Sequence, residues 1–506
     1  MNNLNQKSAV ELLNLIASKQ LSSREVTQYY IDRIEEVNPK LNAVVLKFYD
    51  EALKKADAAD AALAKGDTLG KLHGLPFTIK ECFDYPGSPS TLGVLARKTD
   101  DPPAPDAYIE ALMREGGIVL GKTNVPQLLI FIESANRVYG KTNNPLNPKF
   151  TCGGSSGGEG AIIGAGGSPV GVGSDIGGSV RFPAAFCGIC SIKPTMWRTP
   201  DQTRYGASIL EGPIGSVAGV LGNHAEDLDL FLSIINERAA EMRSVEPLRD
   251  YKNVDVSRLK IGYYLSDGIF EPMPAVKRGV SEAVETLKSL GAEVSEFTPP
   301  RLSFAEEIFL RILTTDEASL FTKVLEGEKP MPQLKNMFML AQASPAKRKV
   351  LGGAAKAFGQ KSVSRMLNYF GGKGIDNLRE WAGKQAAYRE EFTAAMDAER
   401  LDAIIGPVCA LPAFLHDSVD KVGLGGTYTL LYNLLGFPAG VARVSEVRSE
   451  EAIARKFSFD VLEYTATKTQ RQSAGLPLSV QIAARPWRED IVLALIEKLH
   501  KKVSHE

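Results

Sequence analysis

Apolar residues near the start of the chain recur at helical spacing. Ala9-Val10-Glu11-Leu12-Leu13-Asn14-Leu15-Ile16 reads as an amphipathic helix. Ser22 followed by Glu25 has the form of a capping box and opens a helix over Arg24 to Val37, which the Asn38-Pro39 step is expected to close. The whole stretch from 7 to 65 reads as helices. From about residue 74 the texture changes. Short apolar runs, Leu75 to Ile79 and Ile118 to Leu120, flank a helical pattern across Ala107 to Glu115. Such alternation predicts an α/β sheet. Further strands are expected at Lys260 to Tyr263, Ala403 to Ile405 and Leu478 to Ile482, with a closing helix over Asp490 to Leu499.

No linker or internal repeat divides the chain. The expectation is one large α/β domain over 66–506, with 1–65 as a helical segment packed on it. One stretch departs in charge: between Lys329 and Ile375 there are nine basic residues and no Asp or Glu, interleaved with Met331, Met337, Met339, Met366 and Phe370. A helical excursion with a solvated face explains this, and so does a flexible apolar lid over a substrate channel or a surface touching anionic membrane.

At 506 residues the chain is long enough to bury a large core around a dry site. With 59 Lys+Arg against 60 Asp+Glu the net charge is −1, which argues against a nucleic-acid binder with a global positive field. Five cysteines make a disulfide framework a poor fit, and neither a signal core nor an 18-residue apolar run is present. A cytoplasmic protein without a transmembrane segment is expected, and its oligomeric state, homodimer included, is left open.

Three motifs compete for attention. Gly116 to Thr123 fits the phosphate-loop expression, but its middle, Ile118-Val119-Leu120, reads as a strand. Gly153-Gly154-Ser155-Ser156-Gly157 fits a nucleophile elbow, which needs a later histidine. Only His224, His416, His500 and His505 follow, the last two in a polar tail. Cys187-Gly188-Ile189-Cys190 lacks a second pair to complete a zinc site, so no metal is expected.

Asp175-Ile176-Gly177-Gly178-Ser179-Val180-Arg181 has what an acyl-transfer site requires. Gly177 and Gly178 can adopt positive φ and leave amides uncovered, and Ser179 would open a helix where a developing oxyanion is favoured. A serine needs a base, and with histidine scarce a lysine must be considered. Lys80 ends the apolar run Leu75 to Ile79, where burial would lower its pKa from about 10.4 towards 7–8. A second serine between the two could relay the proton.

At these residues the sequence resembles the amidase signature family. The family's glycine–serine motif runs here from Gly153 to Pro194, and its lysine motif is Gly74-Leu75-Pro76-Phe77-Thr78-Ile79-Lys80-Glu81. Gly121-Lys122-Thr123-Asn124, Asn143-Asn144-Pro145, Gly212-Pro213 and Gly475 to Gln481 match as well. The resemblance implies a Ser-cisSer-Lys triad. Ser179 would be the nucleophile, Ser155 the relay after a cis peptide, and Lys80 the base. The amides of Ile176, Gly177, Gly178 and Ser179 would form the oxyanion hole, and Asp175 and Arg181 would pair to brace the loop. It further implies a mixed sheet flanked by helices, no cofactor, and an amide, ester or carbamate as substrate.

Within the family, Lys80-Glu81-Cys82 and Asp175-Ile176-Gly177 are closer to fatty-acid amide hydrolases and broad amidases. The alternative is an amidotransferase subunit acting on charged tRNA within a partner complex. The basic, Met-rich stretch 329–375 falls about where the fatty-acid enzymes carry a channel cap. Gln127-Leu128-Leu129-Ile130-Phe131 departs from the family pattern and is expected to line an acyl pocket for hydrophobic or aryl substrates.

Overall fold

The computed structural model describes residues 3–200 and 213–501. The N-terminal helices form as their apolar spacing requires, at Ala9–Ala17 and Ser23–Leu41. Each is opened by a reciprocal capping box, Ser8 with Glu11 and Ser22 with Glu25. The second helix does not close at Asn38-Pro39. Pro39 sits in its last turn, where the missing N–H removes only one intrahelical bond. The helix stops at Leu41 because Asn42 turns left-handed (φ 53°) and returns its amide to the Asn38 carbonyl. The all-helical reading of 7–65 fails once more: Val44–Lys47 (β1) is a strand and pairs antiparallel with Ile118–Thr123.

In chain order the remaining strands are β2 (Pro76–Lys80), β3 (Ile118–Thr123), β4 (Ala135–Asn136), β5 (Gly140–Lys141), β6 (Val170–Asp175) and β7 (Cys190–Lys193). After them come β8 (Val217–Gly222), β9 (Lys260–Tyr263), β10 (Glu293–Glu296), β11 (Ala403–Pro407), β12 (Ala439–Glu446) and β13 (Pro477–Ala484). Strands β4 and β5 form a small hairpin. The other eleven make one sheet in the order β1-β3-β2-β6-β8-β7-β12-β13-β11-β9-β10. Pairing is parallel within β3-β2-β6 and β11-β9-β10 and antiparallel elsewhere. The expected single α/β domain with a mixed sheet flanked by helices is therefore what forms, around one hydrophobic core running from Leu4 to Leu499.

Two local features position the site. Strands β2 and β6 are parallel neighbours, with Thr78 opposite Gly171 and Ile79 opposite Val172, so their C-terminal ends bring Lys80 beside Ser174 and Asp175. Ligands of α/β sheets gather at such strand ends. The glycines of β6 let the helix Gly157–Gly164 close on the sheet. A Cβ at Gly171 would lie 1.9 Å from Glu159 Oε2, and one at Gly173 would lie 2.5 Å from Ser156 Oγ.

The phosphate-loop expression is occupied by structure of another kind. Its last six residues are β3, and Lys122 is buried, donating to the Pro89 carbonyl (2.9 Å) and Ser90 Oγ (3.2 Å). The basic stretch contains three helices, Pro332–Gln342, Pro345–Ala357 and Lys361–Tyr369. Among the described residues no helix is long and apolar enough to cross a membrane.

Gly121 in β3 offers a check on the edge pairing. A Cβ there would lie 2.3 Å from the Leu46 carbonyl oxygen of β1. Gly121→Ala is expected to destabilise the fold by about 1–3 kcal/mol, read as a lowered Tm. An unchanged Tm would mean that β1 is free to move away from β3.

Candidate active site

Lys80 is the last residue of β2 and is fully buried. Its Nζ lies 2.7 Å from Ser155 Oγ, 2.9 Å from Ser174 Oγ and 3.3 Å from the Ser174 carbonyl. Burial pushes the Lys80 pKa below the usual lysine value, against the opposing pull of Cys82, Asp175, Glu159 and Glu81. A neutral amine in this setting can donate two of these bonds and accept the third from a hydroxyl. Ser155 follows a cis peptide bond from Gly154 and is 2 % exposed. Gly154 has no room for a side chain, since a Cβ would meet the Phe131 carbonyl at 2.2 Å. Ser174, a partner of Lys80 that the motif reading missed, directly precedes Asp175 on β6, and only the pairing of β2 with β6 brings it to the lysine.

The loop from Asp175 to Arg181 is held by a buried ion pair. Arg181 donates through Nε and Nη2 to the two Asp175 oxygens (3.1 and 2.9 Å), and through Nη1 to the Thr429 carbonyl and Gln481 Oε1. Nη2 also donates to Asn433 Oδ1, so all five N–H groups are used. Burial works against the Asp175 charge, yet the Arg181 guanidinium outweighs it and holds the carboxyl well below the usual range.

Asp175 also accepts the amides of Gly178 (2.8 Å) and Val180 (3.1 Å). Of the four amides expected to form the oxyanion hole, one is therefore engaged elsewhere. The Gly178 N–H is committed to Asp175 and Gly178 does not line the cavity, whereas Ile176, Gly177 and Ser179 do. Of the glycine pair, Gly178 is the one with positive φ (120°). The helix begins at Arg181 rather than at Ser179 and spans only seven residues, so Ser179 stands in the turn before it. The Ser179 carbonyl accepts the Ser156 amide (3.0 Å), tying this loop to the Gly153–Gly157 segment.

Ser155, Ser174 and Ser179 open onto one cavity of about 270 Å³. Its walls are mainly apolar: Leu128, Leu129, Ile130, Phe131 and Ile132 on one side, Phe309, Leu310 and Leu313 on another. Met337, Met366 and Phe370 of the basic stretch complete them. Gln127 does not line the cavity. It is buried and donates to Glu328 Oε1 (2.9 Å), while its own Oε1 accepts the Met331 amide (2.7 Å). Gln127 therefore fastens the start of the basic stretch to the cavity wall. Leu128 and Leu129 both have left-handed φ (61° and 60°), a conformation costing roughly 1–3 kcal/mol at such residues. Both residues of that turn and the three that follow line the cavity.

Among the described residues no histidine lines this cavity. His224 Nδ1 is 3.3 Å from Asp227, and His416 Nδ1 is 2.7 Å from Glu133, so both belong to other contacts. Cys187 and Cys190 are buried thiols that donate to the Cys152 and Gly222 carbonyls. Among the described residues no group of three or more His, Cys, Asp or Glu is placed to hold a metal.

Behind Lys80 lies Glu159, fully buried on the helix Gly157–Gly164. Its carboxyl bonds the hydroxyls of Thr78 (2.6 Å) and Thr123 (2.8 Å). Burial pushes it up to about 8, beyond what these hydroxyls and Lys80 counteract, so the proton remains on the carboxyl at neutral pH.

A buried lysine–serine contact thus lies under an apolar cavity, where the parallel strands β2 and β6 end. Comparison with known proteins supplies the family. The family model described as Amidase matches residues 25–493. Fatty acid amide hydrolase 1 of Caenorhabditis elegans is 32% identical over 490 residues, covering 95% of this chain and 85% of that protein. Indoleacetamide hydrolase of Bradyrhizobium diazoefficiens is 36% identical over 494 residues, covering 96% and 85%. A solved structure of a fatty acid amide hydrolase superposes with a TM-score of 0.85 at 28% identity, covering 98% of this chain and 86% of that one. The chain belongs to the amidase signature family of amide hydrolases.

Glu159 has a consequence for stability. The native state holds a proton that the unfolded chain loses above about pH 4.3, so the contribution of Glu159 to stability falls as pH rises towards about 8 and levels off beyond it. In Glu159→Gln this slope should disappear, leaving the variant more stable than wild type near pH 8.5 but not near pH 4, as read by denaturant unfolding across this range. Identical pH profiles would mean that Glu159 is ionised in the fold.

Proposed function

We propose that the protein hydrolyses amides of hydrophobic or aryl small molecules through Ser179, Ser155 and Lys80, with esters and carbamates as further substrates. The observation that carries this reading is the 2.7 Å contact between the buried Lys80 amine and Ser155 Oγ, at the floor of the cavity that Ser179 also lines. Lys80, kept neutral by burial, takes a proton from Ser155 as Ser155 takes one from Ser179. Ser179 Oγ then forms the bond to the acyl carbon. The amides of Ile176, Gly177 and Ser179 receive the oxyanion, with Asp175 and Arg181 holding their loop in shape. The proton returns from Lys80 through Ser155 to the leaving amine. Water then attacks the acyl-Ser179 ester by the reverse relay, releasing the acid and freeing Ser179.

The apolar lining supports hydrophobic substrates, and the helices of 329–375 serve as a cap whose inner face carries Met337, Met366 and Phe370. Amides, esters and carbamates all pass through the same tetrahedral oxyanion, so the triad accommodates each. The reading as an amidotransferase subunit, dependent on partners and charged tRNA, predicts that the isolated chain is inert towards simple amides.

Ser179→Ala should lower turnover of an anilide more than about a thousandfold and abolish labelling by a fluorophosphonate probe. Labelling of the variant at the wild-type rate would overturn the assignment. If 329–375 caps the substrate, replacing Met337 and Phe370 by alanine should reduce kcat/KM for long-chain anilides far more than for acetanilide. Equal losses on both would make the stretch a scaffold.

A further inference from the structure

One residue of the cavity does not fit its walls. The helix Leu302–Leu313 presents Glu306, Phe309, Leu310 and Leu313 to the cavity, the i, i+3, i+4, i+7 spacing of a single helix face. Three of these are apolar and the fourth is a carboxylate, only 3 % exposed. Among the described residues no group donates a hydrogen bond to either Glu306 oxygen. The nearest cation is Arg365, whose Nε lies 3.3 Å from Oε2 but is not aligned for a hydrogen bond. Arg365 Nε and Nη2 are themselves buried without a hydrogen bond, while Nη1 reaches the Ile269 carbonyl. A carboxylate and a guanidinium buried with unmet hydrogen-bonding capacity are costly, and an apolar pair would pack there more cheaply.

The placement relative to the chemistry is defined by Phe309. Its Cζ comes within 3.4 Å of where a Cβ on Gly177 would stand, and Glu306 lies three residues back, a rise of about 4.5 Å along the helix. Burial also pushes the Glu306 carboxyl up to about 7 against the pull of Arg365, so that near neutrality it can both donate and accept. Asp267 adds to that upward push, and Asp420 and Lys421 line the same cavity.

We infer that Glu306, backed by Arg365, is a specificity-determining residue that recognises an uncharged hydrogen-bonding group, a hydroxyl or a second amide, on the otherwise apolar arm of the substrate. Arg365 stands beside Glu306 and does not line the cavity, so the arriving group meets the Glu306 carboxyl: an uncharged group can hydrogen-bond to it, a carboxylate is repelled by it, and an ammonium is disfavoured by the guanidinium beside it. The inference rests on Ser179 as the nucleophile and places the polar group about one helical turn beyond the reacting carbonyl.

The test uses a matched series of p-nitroanilides: a plain straight-chain acid, the same chain with a hydroxyl at successive carbons, and chains ending in ammonium or carboxylate. In wild type, kcat/KM for the best hydroxylated chain should exceed that of the plain chain by roughly tenfold or more, the worth of one well-made hydrogen bond. Glu306→Leu should reverse the ratio and Glu306→Gln should keep most of it, with all three proteins labelled equally by a small fluorophosphonate. A wild type that prefers the plain chain at every hydroxyl position overturns the inference without any variant. So does a ratio unchanged in Glu306→Leu, or a preference for the charged arms. Failure of the nucleophile assignment is read separately, as undiminished turnover in Ser179→Ala.

Discussion

The burial of a single lysine amine governs this structure. Lys80 has no carboxylate in direct contact; it has two serine hydroxyls and a carbonyl. In such surroundings the charged form loses its hydration without gaining a counter-ion, so the amine is favoured. Much of the fold serves this arrangement. Parallel pairing of β2 with β6 delivers Ser174, the glycines of β6 admit Glu159 and Ser156, and the close approach of Gly154 to the Phe131 carbonyl holds Ser155 over the lysine. Glu159 could have supplied a negative charge nearby, but it is itself buried and holds its proton at neutral pH. Burial thus works against the charged form of both groups.

A few ångströms away the opposite solution is used. Asp175 and Arg181 are equally buried, yet they remain charged because every guanidinium N–H and both carboxylate oxygens find partners. Such a pair adds little net stability, but losing one partner costs about 3–5 kcal/mol, which makes it a rigid brace. Its position is what matters here. It occupies the Gly178 and Val180 amides, while Ile176, Gly177 and Ser179 of the same loop line the cavity.

The sequence made the site more legible than its surroundings. Lys80, Ser155 and the Asp175–Arg181 loop were marked by glycine pairs, by the scarcity of histidine and by the family motifs, all of which are local. Strands β2, β3, β9, β11 and β13 announced themselves as apolar runs. By contrast, β1 lies in a segment whose neighbours are strongly helical, and Val170-Gly171-Val172-Gly173 resembles the glycine-rich loops beside it more than a strand. The commitment of the Gly178 amide and the anchoring role of Gln127 could not be read, because each depends on a contact whose geometry only folding sets. Gln127 meets Glu328 across 201 residues of chain. Glu306 was hidden for a related reason: a glutamate in a helix reads as solvated until its neighbours at i+3, i+4 and i+7 are seen facing the same cavity.

The central claim is that a neutral Lys80 activates Ser179 through Ser155, and the pH dependence of Ser179 phosphonylation tests it most directly. The second-order rate in wild type is expected to rise through one midpoint lying below the ordinary lysine value of about 10.4, and Lys80→Ala to lose this limb. A wild-type midpoint at the ordinary lysine value, or the same profile in Lys80→Ala, would contradict it.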